Sequence, residues 1–334
     1  MSGELGISVL VPVYKVERYI EKCVRSLFEQ TMTEGVEFIF VNDASKDRSI
    51  DILNELIEQY PLRKSQVRLV NHPENMGLAI ARITALKHAK GEYVLNLDSD
   101  DYFETDMLEC MYGTAKNENA EIVVADYYFS YKNREIYNHC PLDTEKNRLI
   151  SNLICNKSGV GRMVWNKLIK RELYDKYSVA PLPGVNIGED LIVTAQLLFH
   201  VNSISKIDRA FVHYNRSNLN TYTSNPKYQE VLNRFTGCDF LSDFFGEKSI
   251  EITEAINQYK FQIKAMALIY SSADKQRQVL SYYPQLTYNK YRSALDLHWR
   301  FPLKLGFGGH LRTFNVIRAI MLKVRTVFRY LCKR

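Results

Sequence analysis

With 334 residues, 46% of them apolar and 25% charged, the chain suits an ordinary globular protein of one large domain or two modest ones. No stretch is long and apolar enough to cross a membrane as a helix. Eight of the cations behind the formal charge of +6 fall within residues 302–334, which hold no acid; without them the chain sums to about −2, which argues against a nucleic-acid-binding body.

The first 126 residues alternate. Ile7–Val13 is a continuous apolar run expected of a central parallel strand. A helix is expected over Glu17–Gln30, with Ile20, Val24, Leu27 and Phe28 on one face. Further strands are expected at Val36–Val41, Val67–Val70, Tyr93–Leu97 and Ile122–Ala125. The helices between them are Asp47–Tyr60, Leu78–Ala89 and Thr105–Asn117, the last with Thr105 as N-cap. Beyond Asp126 the pattern loosens: a helix near Lys146–Lys157, an extended piece at Met163–Ile169, a helix at Glu189–Val201, and short strands near Ile204–Ile207 and Ala210–Tyr214. Past Pro226 the chain reads as helical, through Tyr228–Phe245, Ile250–Ala273 and Leu311–Cys332. The expected organisation is an α/β domain over 1–225, mostly parallel sheet flanked by helices, and a helical C-terminal region over 226–334.

Six cysteines, Cys23, Cys110, Cys140, Cys155, Cys238 and Cys332, show neither CxxC nor metal-type spacing with His, as expected of isolated thiols in a reducing cytosol. No basic segment precedes an apolar one at the N-terminus, so no leader is expected.

Parallel sheets bind ligands at the carboxyl ends of their strands. Four such ends offer chemistry: Val11-Pro-Val-Tyr-Lys15, Val41-Asn-Asp-Ala-Ser45, Asn75-Met-Gly77 followed by Ala81-Arg82, and Asp98-Ser-Asp-Asp101. A guanidinium suits phosphate oxygens, and carboxylates suit Mg²⁺ or Mn²⁺, which bridge a diphosphate. A nucleoside diphosphate with a divalent metal would satisfy all of them. Each residue also has a plainer use: Asp43 as a helix cap, Arg82 as a solvated helix residue, Asp98 and Asp101 as caps of the next helix. Three carboxylates within four positions exceed what a cap needs. Asp98, Asp100 and Glu109 fit an EF-hand spacing, but Tyr102 and Phe103 stand where a ligand and the turn glycine belong. No GxGxxG or GxxxxGK[ST] follows the first strand, which sets aside pyrophosphate binding on a glycine-rich loop.

With Gly188-Glu-Asp190, these motifs, in this order, resemble the family 2 glycosyltransferases of GT-A fold over residues 5–216. The resemblance implies that Pro12 and Tyr14 lie beside the nucleotide and that Asp43 contacts a uridine-type base, although Asn42 stands where the family more often has a second acid. It implies that Arg82 serves the donor site. Asp98 and Asp100 would form the DxD motif, with Asp100 the direct ligand of Mn²⁺ or Mg²⁺, Asp98 toward the ribose or sugar, and Asp101 supporting either. Asp190 would be the general base, with Glu189 beside it at the substrate. Trp165 would stack on a sugar face or simply be buried. Arg216 would reach the diphosphate from a closing loop at Tyr222-Thr-Ser224, and His213 would be structural. The implied activity is inverting transfer from an NDP-sugar, of uridine type, to a hydroxyl of a saccharide or lipid-linked acceptor in bacterial cell-surface polysaccharide synthesis. The competing readings are a sugar nucleotidyltransferase and a catalytically silent NDP-sugar-binding protein.

In the tail, Phe314, Ile317, Met321, Val324, Phe328 and Leu331 form an apolar stripe, with Arg312, Arg318, Arg325 and Arg329 off it. That layout suits a helix lying on an anionic membrane, such as the inner face of the plasma membrane. It suits equally a helix packed on the body or a coiled homodimer.

Overall fold

The computed structural model describes residues 5–157, 159–218, 228–246 and 248–331, with side chains in the last helix described to Val324. The chain divides into two compact units, Met1–Asn225 and Pro226–Arg334.

Unit 1 runs β1 (Ile7–Val13), α1 (Ile20–Phe28), β2 (Val36–Asn42), α2 (Ser49–Gln59), β3 (Val67–Asn71), α3 (Leu78–His88), β4 (Tyr93–Asn96), β5 (Tyr102–Phe103), α4 (Met107–Asn117), β6 (Ile122–Tyr131), β7 (Arg134–Asn138), α5 (Lys146–Cys155), β8 (Lys167–Lys170), α6 (Arg171–Tyr177), α7 (Glu189–His200) and β9 (Ile204–Asn215). The sheet order is β3-β2-β1-β4-β8-β6-β9-β5, with β7 on β6. β1, β2, β3 and β4 pair in parallel. Beyond β4 the sheet is mixed: β8 runs antiparallel to both β4 and β6, while β9 is parallel to β6. The expected fifth strand does not neighbour the fourth, because β8 comes between them.

The core follows from the apolar runs. Every residue of β1 is buried, and Ile20, Cys23, Val24, Leu27 and Phe28 of α1 close over that layer. Pro12 sits inside this strand opposite Val41. On its other side β4 has already ended, with Leu97 N donating to Leu10 O, so its missing amide costs no ladder bond. α1 begins three residues later than expected, since the amides of Val16 and Glu17 donate across to Ser49 Oγ and Asp47 Oδ2. Thr105 is not the cap of α4; Asp106 holds that position without a side-chain cap bond. The two short strands expected over 204–214 are one strand, β9, whose pairing with β6 shifts register around Asp126.

Two features carry the chain to the site. Leu97 extends the β4 pairing by one bond, after which the acidic turn crosses to β5, the far edge of the sheet, where Tyr102 pairs with His213. Gly91, just before β4, lies so close to β1 that a Cβ there would stand 2.5 Å from Ser8 N and 2.6 Å from Ile7 C. Its amide donates to Ser8 Oγ at 2.8 Å, which seats the start of β4.

Unit 2 holds α8 (Tyr228–Phe245), α9 (Ile250–Tyr270), α10 (Gln276–Ser281), α11 (Tyr288–Tyr291), α12 (Leu297–Phe307) and α13 (Leu311–Leu331). The expected tail stripe faces partly inward. Phe314 is fully buried, Ile317 and Met321 are half-buried and Val324 is exposed; the side chains of Phe328 and Leu331 lie outside those described. Arg318, expected off the stripe, donates to Ile269 O and Ser271 O at the end of α9. Among the described residues, no helix is long and apolar enough to cross a membrane.

Replacing Gly91 with Ala forces β4 away from the β1 backbone. Urea unfolding should show a loss of about 1–3 kcal/mol, the range for overpacking a fixed interior.

Candidate active site

The strand ends converge on one guanidinium. Arg82, in the second turn of α3, is 4% exposed. Its Nη2 donates to Asp98 Oδ1 at 2.8 Å and its Nη1 to Asn96 Oδ1 at 3.2 Å, both at the end of β4. On the other side Nη2 lies 3.4 Å from Asp190 Oδ1, and Nε lies 3.6 Å from Glu189 Oε1. The two acidic motifs, distant in sequence, therefore share one cation. Burial alone would lower the proton affinity of Arg82, but Asp190, Asp98 and Glu189 more than reverse that. It is held by acids and is not turned out toward phosphate, as the donor-site reading expected.

Glu189 and Asp190 open α7 behind Gly188, whose φ of 91° lies in the left-handed region that glycine tolerates. Glu189 is buried, and burial, then the charge of Asp190, push its carboxyl well up, which favours the protonated form. Asp190 is half-buried, and one of its carboxylate oxygens has no hydrogen-bond partner. Burial raises its pKa, Arg82 opposes the rise and Asp98 adds to it. Beside it lies a pocket enclosing about 280 Å³ of space, part of it open to solvent, lined by Arg82, Asn96, Tyr174 and Asp190 among apolar groups.

The acidic turn is gripped from β9 and the residues after it. Asn215 N donates to Asp101 Oδ1 at 2.7 Å, Asn215 Nδ2 to Asp100 O at 3.1 Å, and Asn218 Nδ2 to Asp100 Oδ2 at 2.8 Å. Even so, Asp101 keeps a buried oxygen without a partner. Burial, then the charge of Asp98, push Asp100 up to about 6, and Asp101 is displaced upward in the same way by burial and by Asp100. The cluster is short of positive charge. An all-oxygen set with an orphaned carboxylate oxygen on Asp101 fits a hard divalent cation such as Mg²⁺ or Mn²⁺.

Among the described residues, one group of three or more His, Cys or acidic side chains has its ligand atoms within reach of a single ion, and it is Asp126, His139 and Asp208, not the acidic turn. There the Lys206 ammonium already sits 2.7 Å from Asp126 and 3.1 Å from Asp208, while Tyr137 and Cys140 N also donate to Asp126. That cluster supplies its own cation and ties β6, β7 and β9 together.

Other expected residues differ in detail. Asp43 is buried and takes four bonds: from His72 Nδ1 and Met76 N on Oδ1, and from Asn75 Nδ2 and Gly77 N on Oδ2. With its acceptor sites filled, it shapes the loop after β3 instead of offering itself freely to a base. Tyr14 is half-buried, on the loop that Ser45 Oγ joins to Lys15 N. Trp165 is 1% exposed, edge-on to Tyr127 at 4.8 Å and tilted against Tyr214 at 5.3 Å, so stacking on a sugar is corrected to packing in an aromatic core. Its neighbour Lys167 is also buried and donates to the carbonyls of Val160, Gly161 and Met163. His213 is held between Glu104 and Glu135 and stacked on Tyr102, as a structural residue would be. Arg216 is exposed at the end of β9, its guanidinium on Tyr214. The Tyr222-Thr-Ser224 loop lies outside the described residues.

Sequence reasoning missed Asn96, Asn215, Asn218 and Asn186. The last accepts from Ala79 N at 3.1 Å and packs under Gly77, whose added Cβ would lie 2.6 Å from its amide nitrogen. The only sequence signal for Asn215 was its place beside Arg216 at a strand end.

The model of glycosyl transferase family 2 matches residues 8–178, half of the chain. The chain belongs to this family. It is 30% identical over 66% of its length to a Bacillus subtilis (strain 168) protein described as uncharacterized glycosyltransferase EpsJ, of which the match spans 63%. In architecture this family 2 member resembles residues 1–349 of TarS from S. aureus, solved with UDP-GlcNAc (TM-score 0.64, 16% identity, 95% of this chain and 92% of that one). It also resembles the mannosyltransferase PcManGT of Pyrobaculum calidifontis, solved with GDP-Man and Mn²⁺ (TM-score 0.52, 17% identity, 96% and 85%). These likenesses show the α/β GT-A fold, here with a mixed sheet and C-terminal helices.

A carboxylate cluster this short of cations should respond to one. Mn²⁺ or Mg²⁺ at pH 7.5 should raise Tm by several degrees; the rise should shrink near pH 5, where protons compete, and vanish in Asp100→Asn. Separately, Arg82→Met strands three acids and should cost about 3–5 kcal/mol at pH 7 by denaturant titration. Carboxyls with raised native pKa values bind more protons folded than unfolded, so this loss should shrink as pH falls toward 5.

Proposed function

We propose that the protein is an inverting, metal-dependent glycosyltransferase. In this reading it moves a sugar from an NDP-sugar, of the uridine type, to a hydroxyl of a saccharide or lipid-linked acceptor in bacterial cell-surface polysaccharide synthesis. The observation that carries it is Arg82, within ion-pair reach of Asp98 at one strand end and of Asp190 at the start of α7. Donor-side and base-side acids thus belong to one cluster.

Asp190 accepts the acceptor hydroxyl's proton as that oxygen attacks the anomeric carbon. Its place on the pocket wall suits this, and burial raises its proton affinity above that of an ordinary carboxylate. Single displacement inverts the centre, so an α-linked donor gives a β-linked product. Arg82, 3.4 Å from Asp190 Oδ1, and the neighbouring Glu189 hold the direction of the Asp190 carboxylate. Asp100 and Asp98 would hold the metal, which when bound supplies positive charge for the departing diphosphate. Arg216, exposed next to the Asn215 that grips the acidic turn, suits the donor's phosphate oxygens. Asp43 serves the nucleotide indirectly, by folding the loop of Asn75, Met76 and Gly77. The UDP-GlcNAc and the GDP-Man with Mn²⁺ in the two solved relatives support a sugar-nucleotide donor.

The test is a panel of nucleotide sugars with Mn²⁺, read for released NDP. Release of NDP supports transfer, whereas pyrophosphate exchange would indicate a nucleotidyltransferase and silence a binding protein. Asp190→Asn should keep donor binding by thermal shift while turnover falls on the order of 1,000-fold; near-normal turnover would reject Asp190 as base.

A further inference from the structure

α13 presents a second face that its inward packing leaves uncovered. Arg312, Thr313, Val316, Ala319, Ile320, Lys323 and Val324 are all exposed and recur at three- and four-residue spacing, so they form one continuous stripe. Val316, Ile320 and Val324 are 63%, 59% and 53% exposed. The opposite side is occupied: Phe314 is buried, Asn315 exchanges bonds with Gln276, and Arg318 caps the carbonyls at the end of α9. Of the six exposed large apolar residues described in unit 2, five lie on α12 and α13, Leu297 and Phe301 being the other two of these. After Asp296 the sequence contains no acid, while residues 302–334 hold eight Lys or Arg.

We infer that this outward stripe of α13 is a docking surface for an anionic lipid bilayer. Aliphatic side chains would enter the headgroup boundary, with Arg312 and Lys323 on the same face meeting lipid phosphates. A second copy of the chain fits it poorly. Two such stripes would bring cations against cations with no acid between them. Three aliphatic side chains also fall far short of the roughly 800 Å² per partner of a stable dimer. The surface differs from the sequence-level stripe, whose first residues are spent on internal packing, and it stands independently of the transferase reading.

The full chain is sedimented with phosphatidylcholine vesicles containing or lacking about 30% phosphatidylglycerol, at low and high salt. Binding should require phosphatidylglycerol and weaken with salt. Val316→Glu with Ile320→Glu should lower partitioning about 10-fold or more, with the circular dichroism spectrum unchanged. If that pair misfolds, Arg312→Gln with Lys323→Gln decides, with a similar loss expected. Equal binding to neutral vesicles, unchanged binding by the folded variants, or a dimer that Ile320→Glu dissolves would each overturn the proposal.

Discussion

One buried guanidinium holds the acidic motifs of unit 1 together. Arg82 faces Asp98, Glu189 and Asp190, and a single positive charge cannot neutralise three carboxylates in a low-dielectric site. The imbalance sorts the acids by environment. Glu189, the most enclosed, has its carboxyl pushed well up; Asp98 takes the shortest bond; Asp190 keeps a buried Oδ1 without a hydrogen bond, 3.4 Å from Arg82 Nη2. Neighbouring carboxylates thus meet different surroundings around one cation.

The sheet makes that meeting possible. β4 delivers Asp98 beside β1, and the turn after it crosses to pair β5 with β9, where Asn215 closes on Asp100 and Asp101. The antiparallel β8 then sends the chain back, and α7 brings Glu189 and Asp190 to the same end. The antiparallel insertion is what lets a segment remote in sequence face the parallel strand ends.

Much of this was legible in sequence. Continuous apolar runs marked β1 and β2, and three-four spacing marked the inner face of α1, because burial on both faces or on one stripe leaves a period that composition cannot hide. The acidic turn was legible through its excess of charge. Less could be read where long-range contacts decide. The two residues of β5 are too few to show a period, and the bulge around Asp126 split β9 into two apparent strands. The sequence reads Arg82 and Asp43 as ligand contacts and Trp165 as either a sugar contact or a buried ring, whereas the structure gives each of them protein partners elsewhere in the chain. The tail's period was visible, but a period names the faces of a helix and not which of them is covered.

Gly77 and Asn186 add a mechanical consequence. The glycine has no room for a side chain because the asparagine amide fills that space, and the same asparagine anchors the first turn of α3 through Ala79. The segment folded by Asp43 and the segment leading into Asp190 therefore behave as one interlocked piece. Grafting a foreign loop in place of residues 75–77 would displace Asp190 unless position 186 travels with the graft.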